Sequence, residues 1–118
     1  MHELALARAI RDTAARHAAG RRVSAVRVRV GAMRQVVPQS LCFHFDAVSR
    51  GSSLEGARLE LEPVAARLRC EGCGQVWEPE TPSFRCPRCA GAGVRLLSGE
   101  ELRVESIDVE EEEEEVRA

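Results

Sequence analysis

Two pairs of cysteines constrain this chain more than any other feature. Cys70-x2-Cys73 and Cys86-x2-Cys89 are separated by twelve residues. A C-x2-C pair lets both sulfurs grip one ion from a tight knuckle, and two such knuckles supply the four thiolates that tetrahedral zinc takes. Gly72 and Gly74 give the first knuckle its turn freedom, while Pro87 stiffens the second. A closed tetrathiolate shell leaves no open coordination position, so the spacing predicts a structural metal site. Spacing alone does not separate zinc from iron. The absence of tyrosine and an aromatic content of 3% weigh against an iron electron carrier. Metal binding of this type supplies about 10–16 kcal/mol in peptides, ample for a segment whose core is small. The apolar residues here are Val76, Trp77, Phe84 and Val94.

The chain has 118 residues, 44% apolar and 31% charged, which suits one domain with a small appended module. No stretch approaches the eighteen or so apolar residues of a membrane span. The opening segment carries Glu3 and Arg8 where a signal peptide needs an unbroken apolar run. The expected location is therefore the cytoplasm, where five cysteines point to metal before disulfides.

All 17 basic residues are arginine. Residues 1–109 carry a formal +3, and residues 110–118, with Glu110–Glu115, carry −5. A body so weakly basic does not argue for nucleic acid. In the cysteine segment, Arg69, Arg85, Arg88 and Arg95 face Glu71, Glu78 and Glu80, a formal +1 that falls to −1 once a dication and four thiolates are counted. Those arginines are better explained as compensation for the anionic cluster. The glutamate run is expected to repel itself into a disordered, solubilising tail.

Around the cysteines, Leu6, Ile10, Ala14 and His17 predict a helix over 4–19, stopped by Gly20. Val23–Val30 alternates as a half-buried strand, with Arg27 and Arg29 outward, and ends at Gly31. Pro38 opens a second helix to about Ser49, with Leu41, Phe45 and Val48 as its stripe. A second strand is expected over Ala57–Ala66, where Pro63 marks an edge or a bulge. A third follows over Glu101–Val109, with a change of phase between Val104 and Ile107. The expected fold class is α+β: a small three-stranded sheet covered by two helices, with a four-cysteine zinc ribbon inserted before the last strand. The expected domains are 1–67 plus 97–109, a ribbon over 68–96, and an acidic tail over 110–118. No nucleophile–base pair suggests an enzyme. Exposed strand edges are compatible with a monomer or a homodimer.

The chain opens Met1-His2-Glu3-Leu4. A free α-amine, the amide nitrogen of residue 2 and its imidazole can chelate one metal together. Nitrogen-rich, near-planar coordination suits Ni(II) or Cu(II) better than zinc. Taken alone, a histidine at position 2 is more often a solvated terminal residue, and Glu3 more often a charge at the positive end of a helix. His17 and His44 read as structural, and Cys42 as a small core residue.

Together these motifs carry a resemblance. M-H-E-L at the start, the strand V-R-V-R-V-G, the two cysteine pairs with C-P-x-C second, and the segment Ser98–Val109 resemble the hydrogenase nickel-incorporation proteins, the HypA/HybF family, over residues 1–109. The resemblance implies a nickel metallochaperone of hydrogenase maturation whose α+β domain carries a zinc ribbon. It implies His2 as principal nickel ligand, supported by the Met1 amine and Glu3, and Cys70, Cys73, Cys86 and Cys89 as zinc ligands. It also implies a nickel-binding GTPase (HypB) as partner, the precursor of the [NiFe]-hydrogenase large subunit as recipient, and for some members urease maturation proteins. The competing reading is a zinc-ribbon module that binds protein or nucleic acid.

Overall fold

A computed structural model of the chain describes residues 2–80, 84–91 and 93–110. Met1, the His2 side chain and the acidic tail from residue 111 lie outside the described residues. Contact density divides the chain into two compact units. One comprises Met1–Val28, Val36–Leu61 and Arg103–Ala118; the other comprises Arg29–Gln35 and Glu62–Leu102.

Helix α1 spans His2–Ala18. Its buried residues are Ala7, Ile10, Ala14 and Ala18, at helical spacings of three and four. The expected stripe through Leu6 and His17 is thus rotated: Leu6 is half-buried and His17 is exposed. Alanines let a neighbouring helix approach closely, so the contact face follows them rather than the bulkier side chains. Ala19 and Gly20 then adopt left-handed backbone (φ 52° and 86°), which ends the helix at the expected place.

Helix α2 runs Pro38–Ser49, with Pro38 in its first turn. Leu41, Phe45 and Ser49 are buried. The expected Val48 is only half-buried, one position off the axis of the stripe. Strand β1 is Val23–Gly31, and Val23, Ala25, Val26 and Val28 join these helical residues in the core of the first unit, together with Leu54.

Strand β2 (Arg58–Val64) and the last strand, β6 (Leu102–Val109), flank β1 in a sheet of order β2-β1-β6. Pro63 therefore sits on an edge strand, one of the two placements its sequence position allows. The alternation in β6 does change phase, with Glu105 and Ser106 both exposed. The expected strand over Ala57–Ala66 stops at Val64, and the backbone resumes as a separate strand, β3 (Arg67–Cys70).

A second small sheet organises the cysteine segment. Its order is β4-β3-β5, with β4 at Val76–Trp77 and β5 at Val94–Ser98, both antiparallel to β3. Leu68 pairs with Trp77 on one side and Leu96 on the other. At the base of this unit, buried Gly31 and Gly99 pass backbone against backbone. The Gly31 N–H bonds the Glu101 carbonyl and the Met33 N–H bonds the Gly99 carbonyl, each at 2.7 Å. A Cβ on Gly31 would collide with the Gly99 carbonyl, and one on Gly99 would lie 2.6 Å from the Ala66 Cα. No helix among the described residues is long and apolar enough to cross a membrane.

Candidate metal centre

The two C-x2-C pairs fold into matching knuckles. In the first, the Gly74 N–H bonds the Cys70 carbonyl at 2.8 Å and the Cys70 N–H bonds the Gln75 carbonyl at 2.8 Å. In the second, the Ala90 N–H bonds the Cys86 carbonyl at 2.8 Å and the Cys86 N–H bonds the Gly91 carbonyl at 3.1 Å. The residue after each pair is left-handed, Gly74 at φ 78° and Ala90 at φ 58°. This equivalence is written in the sequence as C-E-G-C-G-Q against C-P-R-C-A-G, although only the glycine advertises its conformation.

The knuckles bring four sulfurs to one point. Their Sγ atoms all lie within 4.8 Å of one another, with Cys70–Cys89 and Cys73–Cys86 each at 3.6 Å. A tetrahedron with metal–sulfur arms of 2.3 Å has edges of about 3.8 Å, so this donor set fits one zinc-sized ion. Cys70 and Cys86 are buried at 1% and 2% exposure, whereas Cys73 and Cys89 are exposed.

Backbone amides aim at the sulfurs. Gln75 bonds Cys73 and Gly91 bonds Cys89, again at equivalent positions. Burial raises the Cys86 thiol, but amides of Cys89 and Arg88 and the neighbouring thiols of Cys73 and Cys89 outweigh it and bring the group to about 7. On Cys89 the Gly91 amide pulls downward, yet the thiols of Cys70, Cys86 and Cys73 together with burial push it up to about 11. Four sulfurs this close favour sharing protons when no cation neutralises them. A bound dication reverses that preference and favours four thiolates.

Other residues singled out in the sequence belong to the first compact unit. Cys42 is half-buried on α2, with Sγ 3.9 Å from the Leu59 carbonyl; burial and then Asp46 raise its thiol. His44 is half-buried and meets exposed Phe43 edge to face, ring centres 5.5 Å apart. Of the three residues expected around nickel, Glu3 is described. It lies in the first turn of α1, and its carboxylate accepts the Val37 N–H at 3.5 Å. That contact has no signal in the sequence, because thirty-four positions separate the two residues.

Comparison with known proteins bears on the whole chain. The sequence model of a family described as "Hydrogenase/urease nickel incorporation, metallochaperone, hypA" matches residues 1–109. A protein named hydrogenase maturation factor HypA from Geotalea daltonii is 42% identical over 109 residues, covering 92% of this chain and 99% of its own. Another of that name from Streptomyces avermitilis is 42% identical over 116 residues, covering 94% and 88% respectively. The solution structure of the Ni metallochaperone HypA from Helicobacter pylori matches with a TM-score of 0.66 at 20% identity, covering 92% of this chain and 97% of that one. The folds are alike at that distance, and the family match extends from the M-H-E-L start through both cysteine pairs to the end of β6. This chain belongs to the HypA family.

Proposed function

We propose that the protein is a cytoplasmic nickel metallochaperone of hydrogenase maturation, and no enzyme. In this reading a nickel-binding domain, residues 1–67 plus 97–109, carries an inserted ribbon over 68–96. The observation that carries it is the family match over residues 1–109, in a chain whose first helix begins at His2.

The start of that helix suits a terminal chelate. The first four N–H groups of an α-helix have no partner within it, so the amide of His2 can join a metal without breaking a helical hydrogen bond. The Met1 amine, the His2 amide and the His2 imidazole then supply three nitrogens, with Glu3 beside them. The nitrogen set selects Ni(II) or Cu(II) over zinc, and an incomplete shell lets the cargo leave. Cys70, Cys73, Cys86 and Cys89 hold a structural zinc in a closed shell, which takes no part in transfer. The partners that follow are the nickel-binding GTPase HypB and the [NiFe]-hydrogenase large-subunit precursor, with urease maturation proteins as a second destination.

Nickel titration of zinc-loaded protein with a native, untagged amino terminus tests this reading, beside His2→Ala and a version with one residue added before Met1. The expected result is one nickel per chain in the native protein and none in either variant. Protons compete for the amine, which ordinarily titrates at about 7.7–8.0, and for the imidazole, at about 6.5. Nickel affinity should therefore fall as pH drops from about 8 to about 6. Equal binding by all three proteins would remove the terminal chelate.

A further inference from the structure

Helix α1 holds α2 by both ends. At the α2 amino end, Val37 stands in the capping position without a side-chain cap, and Pro38 contributes no N–H. The Glu3 carboxylate takes the Val37 N–H there, at 3.5 Å. At the opposite end, the Arg11 guanidinium donates to the Val48 carbonyl at 3.0 Å. An acid at the positive end of a helix and a base at its negative end both match the helix dipole. The two contacts are eight residues apart on α1 and eleven apart on α2, so the helices are tied in register at two separate points.

From this we infer that Glu3 is a positioning residue for the nickel site: it ties the first turn of α1 to the entry of α2, and its carboxylate is not a metal ligand. The inference rests on the terminal chelate proposed above. Every nitrogen of that chelate belongs to residues 1 and 2, immediately before Glu3. An untied helix end frays by a turn, which would scatter the amine, amide and imidazole before any metal arrives. With Glu3 held at Val37, the first turn of α1 is anchored directly after the chelating residues, and less ordering remains to be done on binding.

Glutamine separates the two roles, because its side-chain oxygen accepts the Val37 N–H while its neutral amide is a poor ligand. Nickel affinity is measured by titration on full-length, zinc-loaded, untagged protein and its Glu3→Gln, Glu3→Ala and His2→Ala forms. Amide hydrogen exchange at Val37 and in the first turn of α1 is followed on the same samples without nickel. The expected result is that Glu3→Gln binds nickel within about twofold of the parent. Glu3→Ala should bind about three- to tenfold more weakly, the scale of one hydrogen bond, with faster exchange at Val37. Equal losses in Glu3→Gln and Glu3→Ala would identify the carboxylate as a ligand and overturn the inference. Unchanged exchange at Val37 in Glu3→Ala would overturn it as well. If His2→Ala keeps full affinity, the chelate itself is wrong, an outcome read independently of either Glu3 variant.

Discussion

Arg27 and Asp108 meet across β1 and β6 through two parallel hydrogen bonds, Nη1 to Oδ1 and Nη2 to Oδ2, each at 2.9 Å. A fork-to-fork pair of this kind fixes geometry as well as charge. It fastens the last strand of the chain to the first, and Glu60 on β2 adds a contact at 3.6 Å on the other side of Arg27.

The hydrogen bond from Arg27 holds the Asp108 carboxyl below its ordinary value, aided by the charges of Arg27 and Arg58 against the effect of burial. A carboxyl depressed in the folded state stabilises it above the unfolded value, about 3.9, and loses that contribution as pH falls through the lower folded value. Asp108→Asn should therefore unfold at lower denaturant than the parent at pH 7, and the gap should close below pH ~3.9. Acid loss of a ribbon metal affects both proteins alike. A gap that persists at low pH would assign the difference to shape rather than charge.

Ala90 occupies the left-handed position that Gly74 fills in the other knuckle. A side chain there costs about 1–2 kcal/mol, partly offset by the greater freedom glycine loses on folding. Ala90→Gly should stabilise the metal-loaded protein by about 0.5–1 kcal/mol, and Gly74→Ala should destabilise it similarly. Urea midpoints read both. Changes of the same sign would mean that the two knuckles are not equivalent.

On α2, Phe45 is fully buried and Phe43, two residues earlier, is 69% exposed. Phe45→Ala should cost about 3–5 kcal/mol by opening a cavity. Phe43→Ala should change stability by less than about 0.5 kcal/mol. Similar losses from both would place Phe43 in a contact that the isolated chain does not make.

Stripping the metal with a strong chelator should abolish the slow amide exchange of Leu68 and Cys70 while the helical circular dichroism of α1 and α2 persists. Among the described residues, the buried apolar side chains of the β3–β5 segment are Leu68, Cys70 and Cys86. Cys70 and Cys86 belong to the four-sulfur cluster. Protection at Leu68 that survives metal removal would mean that the β4-β3-β5 sheet is stable by itself.

The legibility of this chain tracked the strength of its local signals. Within a helix proline fits the first turn, and the break at Gly51–Ser53 is equally blunt, so both ends of α2 are legible. The cysteine spacing suits one ion, and the four sulfurs do converge on one point. The contact face of α1 was harder, since alanine is apolar without being decisive and Leu6 drew the stripe one position aside. Strand β3 was hidden because arginine alternates with a single leucine, and its partners β4 and β5 run two and five residues. No local pattern tells that Gly31 must pass Gly99, or that Glu3 reaches Val37. Those are products of packing, set by residues far apart in sequence.

The matching knuckles also set a timetable. Before an ion is captured, the described part of the chain between Cys73 and Cys86 has little more than Val76, Trp77 and Phe84 to collapse upon. Capture closes it much as a disulfide would, removing unfolded-state entropy worth about 3 kcal/mol for a loop of this size. Neither knuckle can close the loop alone, so the segment from Cys70 to Cys89 should mature at a rate set by the supply of the ion it captures.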